Sequence, residues 1–356
     1  MIQGHTIDAL VAPTSIALEQ LPWSIWHFVR GLTAPVFLML SGALQVLANK
    51  RDANGFIGRQ RYLKQIRWAL TLIGIGYLLV FPANRLRDLP FVTQEGWHFF
   101  FQVNILQLSG LTLLGVMTIM YFTRSTRRFA SISLVVGITI ALLSPLVQRV
   151  DWWTWLPSIV ANYLSFAKGS LFCIFPFSAY MFFGVSIGAW LQSNLSEQRI
   201  SRFPRIMVIL GATLVLCGVL GTYQPLNLYP EHDYYLASPL FVMIRTGCAF
   251  LFIGILALLY RYIGGVEEYC ARLGKKSLYI YTAHLILLFG TPWFGGIARL
   301  WYRSLDVSTG IAMAFVVIVF TLTTAYLLDY YQRHSANVRR GLRVSLTAAL
   351  LYALIV

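Results

Sequence analysis

The sequence predicts an all-α, polytopic integral membrane protein: a helical bundle of about eleven transmembrane helices, forming one domain over residues 1–356. Three observations predict it. Hydrophobic residues make up 58% of the chain and charged residues only 12%, about half the charge of a soluble domain. Apolar runs close to the ~20 residues that cross a bilayer recur along the whole length. Positive charge alternates from loop to loop. Together these exclude a soluble globular enzyme, a disordered chain and a secreted disulfide scaffold.

The spans fall near 1–17, 31–49, 68–83, 104–122, 129–148, 171–191, 206–222, 239–260, 277–291, 310–328 and 342–356. Loops 50–67, 124–128, 192–205, 261–276 and 329–343 carry 20 Lys and Arg, and the opposite set carries 7. The basic loops are therefore expected in the cytoplasm, with the protein a multi-pass component of the cell membrane. This bias accounts for most of the +15 net charge, so no nucleic-acid partner is needed; the bilayer is the partner. No cleavable signal peptide is expected, because MIQGHTID lacks a basic region and a clean apolar run. Cys173, Cys217, Cys248 and Cys270 share no short spacing, which suggests neither a disulfide framework nor a metal site. Among the external loops, Trp152, Trp153 and Trp155 suit the membrane interface. The aromatic and acidic stretch Tyr229–Tyr235 suits either that interface or a sugar-like acceptor.

Ionisable groups inside spans are costly and are candidate site residues. His5 and Asp8 stand at i and i+3, on one helical face. Asp8 can then hold one ring nitrogen of His5 and leave the other as a base. The alternative is a first turn that is simply wet. A third ligand is missing, so no metal is expected. His284 lies seven residues after Ser277, a candidate helix cap, hence about 10 Å into its span. That depth is similar to His5, and a packing histidine is its alternative role. Arg245 sits inside a span and must pair, snorkel or meet a ligand. Arg30 precedes a helix entry and suits an interfacial anchor, while Asn104 and Gln107 suit interhelical bonding. Arg30, Gln107 and Tyr281 join Arg245 as acceptor-side candidates. Lys275 and Lys276 open a helix whose N-terminus favours anions. With Ser277, Arg124, Arg127 and Arg128 they form a candidate phosphate-binding set, against ordinary topology charge as the alternative.

Four stretches carry a resemblance: MIQGH at 1–5, FVRGLTAPVFLMLSG at 28–42, FSAYMFFGVSIGAWL at 177–191 and LGKKSLYIYTAHLILLFG at 273–290. Read together, they resemble the membrane acyltransferase superfamily, which includes acyltransferase 3 and heparan-alpha-glucosaminide N-acetyltransferase-like proteins. The resemblance implies transfer of an acyl group from cytoplasmic acyl-CoA, usually acetyl-CoA, to a hydroxyl or amine of a carbohydrate-like acceptor. It implies a catalytic first-helix histidine, here His5, and a late-helix histidine, here His284. His27 matches the loop histidine of heparan-type members less well. Relatives carry an Asp and an Arg-Gly pair upstream of the MIQGH position, so either the natural start lies before Met1, which is the expectation, or this member lacks those polar groups. The rival classes are a transporter of a sugar or lipid-linked substrate and a structural subunit. The absence of two-half symmetry counts against the transporter. A homo-oligomer stays open.

Overall fold

A computed structural model describes residues 1–52, 54–193, 197–223, 228–262, 265–334 and 336–355. They are helical almost throughout. In chain order the helices are α1 (Ile2–Leu10), α2 (Trp23–Gly31), α3 (Thr33–Ala48), α4 (Arg59–Leu79), α5 (Gln94–Phe100) and α6 (Ile105–Phe122). Then come α7 (Thr126–Gln148), α8 (Ser158–Leu164), α9 (Ile174–Gln192), α10 (Glu197–Tyr223), α11 (Tyr234–Ala237) and α12 (Pro239–Leu259). The chain ends with α13 (Glu267–Gly274), α14 (Ser277–Phe289), the two-residue strands β1 (Gly290–Thr291) and β2 (Phe294–Gly295), α15 (Ala298–Trp301), α16 (Val307–His334) and α17 (Ala336–Ile355).

Among the described residues, seven helical segments are long and apolar enough to cross a bilayer. They are Trp23–Ala48, Ile105–Phe122, Thr126–Gln148, Ile174–Gln192, Ile200–Tyr223, Pro239–Leu259 and Val307–His334. Four of the expected spans take other forms. The run at 1–17 stops being helical at Val11, which is extended ahead of Pro13; proline supplies no N–H and pushes its predecessor out of the helical region. The helix covering 68–83 begins at Arg59 and brings Arg61, Lys64 and Arg67 into its first turns. The run at 277–291 yields 13 helical residues before the hairpin. The last helix starts at Ala336, so Arg339, Arg340 and Arg343 dilute its apolar half.

Contacts divide the chain into two compact units, Met1–Arg30 with Leu79–Phe100 and Tyr262–Val356, and Gly31–Leu78 with Phe101–Arg261. In the second unit, α9 packs against α3 and α7, and α10 against α12. Small residues let the backbones touch: a Cβ on Gly184 would stand 1.9 Å from the Met39 carbonyl oxygen, and one on Gly42 2.1 Å from that of Met181. Gly211 and Gly247 play the same part between α10 and α12, each meeting the other's carbonyl oxygen at 2.7 Å. This is the packing expected where lipid offers no hydrophobic drive between helices. Arg51 closes the turn before α4, donating to the carbonyls of Gly55, Met120 and Thr123.

The first unit is built around α1, α14 and α16. Ala9, Leu10, Leu288, Ala298 and Val317 form its buried core. The broken end of α1 keeps its hydrogen bonds: the Ala9 carbonyl accepts from the Arg303 N–H, and that of Leu10 from Ser304 and Leu305. Val11 then pairs with Leu305 as a parallel bridge. Irregular backbone of this kind survives at membrane depth only where protein satisfies it.

Candidate active site

Helices α1 and α14 pack together in the first unit, and each contributes a histidine. The rings of His5 and His284 face each other with centroids 5.4 Å apart and planes 38° apart. Phe289 meets His5 edge-on at 6.5 Å, and Tyr281 meets His284 the same way at 5.5 Å. Tyr281 and His284 are buried. The tautomer of His284 follows from its partner. Its Nδ1 lies 2.7 Å from the Ile280 carbonyl oxygen, which only accepts, so Nδ1 carries a proton. In the neutral ring Nε2 then bears the lone pair. That nitrogen is buried and has no hydrogen-bond partner among the described residues. An imidazole fixed by one nitrogen and open at the other is the arrangement a general base needs.

Asp8 is engaged elsewhere. Its carboxylate forms an ion pair with Arg30, and among the described residues it makes no hydrogen bond to His5. Arg30 also donates to Nδ1 of His27 at 3.4 Å and lies 4.8 Å over the Trp26 ring. The Trp26 indole N–H donates to Gln3 Oε1 at 2.8 Å. Arg30 and Trp26 thus fasten α2 to α1, and a Cβ on Gly4 would stand 2.9 Å from the Arg30 side chain.

The basic pair before α14 divides. Lys275 is exposed. Lys276 is mostly buried, donating to Gln332 Oε1 at 2.7 Å and pairing with Asp329 at 3.4 Å; Arg333 holds the other Asp329 oxygen at 2.7 Å. Ser277 is the first residue of α14, with Lys276 in the capping position and no side-chain cap. The helix begins at 276–277 as expected, but without a serine side-chain cap, and Lys276 is anchored on Asp329.

The remaining candidates belong to the second unit. Arg124, Arg127 and Arg128 are exposed at the first turn of α7, where Ser125 caps the helix by accepting from the Arg128 N–H at 3.5 Å. Arg124 also lies 4.8 Å over the Phe56 ring. Arg245 stands 4.3 Å over the Phe241 ring and has no ion pair among the described residues. Gln107 is fully buried, with neither amide atom hydrogen-bonded among the described residues. No cluster of three or more metal-ligating side chains occurs among the described residues.

Sequence reading missed the surroundings of Phe289. An open cavity of about 440 Å³ adjoins it, lined by the β1–β2 hairpin and α15. The turn signals in GTPWFGG were present in the sequence, but a loop after a span reads as interfacial.

Helices long and apolar enough to cross a membrane, with a histidine pair between α1 and α14, define a class of integral membrane enzyme candidates. The sequence assigns the chain within that class: a model of the heparan-alpha-glucosaminide N-acetyltransferase catalytic family matches residues 1–223, and the chain belongs to this family of membrane acetyltransferases. No curated protein and no solved structure matches the chain.

Proposed function

We propose that the protein transfers an acetyl group from acetyl-CoA to an amine or hydroxyl of a carbohydrate-like acceptor, with the histidine pair as its chemical centre. The observation that supports this reading most is the unpartnered Nε2 of His284 beside the His5 ring. In the reaction the acceptor heteroatom attacks the thioester carbonyl carbon, and its proton passes to a histidine. The C–S bond then breaks, and the CoA thiolate takes a proton. His5 serves as the base and His284, held by Ile280, as the second site group. Asp8 acts on the pair only through Arg30 and the fit of α2 on α1.

Lys275 in the first unit, and separately Arg124, Arg127 and Arg128 in the second, are exposed cations of the kind that bind CoA phosphates, and Ser277 offers a hydroxyl at the start of α14. Lys276 is committed to Asp329. Tyr281 in the first unit, and separately Arg245 and Gln107 in the second, are the acceptor-side candidates, while Arg30 fastens α2 to α1. The basic loops face the cytoplasm, which puts the donor there.

The test is release of free CoA thiol from acetyl-CoA by purified protein over a panel of amino sugars. His5→Ala is expected to lower turnover by about a hundredfold or more, the usual worth of a positioned general base, while acetyl-CoA still raises the melting temperature. Full turnover in His5→Ala removes His5 from the chemistry. Absence of any acetyl-CoA-induced shift in the wild-type protein removes the donor assignment.

A further inference from the structure

We infer that the cavity beside the β1–β2 hairpin binds an acceptor that carries a single negative charge, and that Arg299 selects for it. The inference deepens the acetyltransferase reading and rests on it for the word acceptor. Phe289 belongs to both places: one edge faces His5, and the residue lines the cavity. A ligand seated there is separated from His5 by the Phe289 ring.

The lining has two characters. Phe289, Trp293, Phe294 and Tyr302 supply aromatic surface, which suits the apolar face of a sugar ring. Trp293 is held in place: its indole N–H lies 2.8 Å from the Asn84 carbonyl and 3.1 Å from that of Ala353, and its ring stacks on Phe81. The hairpin backbone folds closely on itself, leaving no room for a Cβ on Gly296 beside the Gly290 nitrogen. Against this wall stands one charge. Among the described residues that line the cavity, Arg299 alone is ionised, and it has no acidic partner among the described residues. A lone guanidinium beside aromatic rings matches a singly charged oxyanion, whose two oxygens its fork holds together. A carboxylate on the sugar and a phosphodiester linking it to a lipid share that chemistry.

The experiment is equilibrium dialysis of the full chain in detergent, without donor, against four probes. These are glucosamine, glucosaminuronic acid, the methyl phosphodiester of glucosamine 6-phosphate, and glucosamine 6-phosphate itself. At least one of the two monoanions is expected to bind about tenfold more tightly than glucosamine, and which one does so identifies the source of the charge. In Arg299→Gln that gain disappears while the glucosamine Kd stays unchanged, which also reports that the variant is folded. Equal binding of glucosamine and both monoanions, or an undiminished preference in Arg299→Gln, overturns the site. In a parallel thiol-release assay with acetyl-CoA and the same probes, selective binding without acetyl transfer to any probe overturns the proposed function and leaves the site standing. Transfer without charge preference does the reverse.

Discussion

At the scale of single residues, the two histidines differ in what holds them. The Nδ1–H of His284 is tied to the carbonyl one turn earlier, whereas His5 meets the rings of His284 and Phe289. Replacing His284 by asparagine is expected to keep the fold and lower turnover, since the shorter side chain withdraws the acceptor nitrogen from the site; circular dichroism with a thiol-release assay checks both halves. The two lysines also separate. Lys276→Ala should destabilise the protein by about 2 kcal/mol, the scale of a lost hydrogen bond to a charged group, because it removes the contacts to Gln332 and Asp329 that tie the start of α14 to α16. Lys275→Ala should leave the melting temperature unchanged and weaken only acetyl-CoA binding. Thermal melts with and without acetyl-CoA distinguish the two. His5 and His284 were legible in the sequence because an imidazole in an apolar run is conspicuous. The partners of Asp8 and Lys276 were not: Arg30 and Asp329 reach them across chain separations that no local pattern encodes.

At the scale of elements, composition located the spans but not their interruptions. Long apolar runs such as 239–260 and 310–328 became helices, because an isolated span has only its own backbone to bond with. The run at 1–17 was misjudged because Pro13 breaks it, and the hydrogen bonds forgone are recovered from Arg303, Ser304 and Leu305. Packing between α3 and α9 rests on the Gly42 and Gly184 contacts. Gly184→Leu has no space and should abolish the folded protein, read as loss of a monodisperse peak in size-exclusion chromatography; Gly74→Ala, where a Cβ meets nothing within 4 Å, is the tolerated control. The start of α16 depends on Asp306, whose carboxylate accepts from the Ser308 and Thr309 hydroxyls and from the Thr309 N–H. These bonds hold its pKa well below the usual carboxylate range. A depressed folded-state pKa contributes stability above the unfolded value of about 3.9, and that contribution is lost as pH falls through the folded value. Asp306→Ala should therefore melt at a lower temperature than wild type at pH 7, and the difference should shrink as the pH is taken below 4.

At the scale of the whole molecule, the charge bias assigns each loop to a side of the membrane, and a native residue tests it. Cys270 is exposed in the basic segment 261–276, so a membrane-impermeant maleimide should label it in inside-out vesicles and leave it untouched in right-side-out ones. Buried Cys173 serves as the internal reference. Labelling with the opposite sidedness would place the proposed donor site on the other face. The family match ends at residue 223, before α14, so His284 and the hairpin cavity rest on the structure of this chain rather than on its kinship.

One dimension of α14 matters for how an acetyl group travels. Its 13 residues span about 20 Å, against roughly 30 Å of hydrocarbon in an ordinary bilayer. His284 stands near the midpoint, about 10 Å from one end and about 8 Å from the other. On the acetyltransferase reading, a helix this short set across the bilayer would leave only a thin septum around the imidazoles, and a thioester and a nucleophile would need to cover only short distances to meet. Such a septum would make the two aqueous phases neighbours for group transfer while keeping them separate for ions.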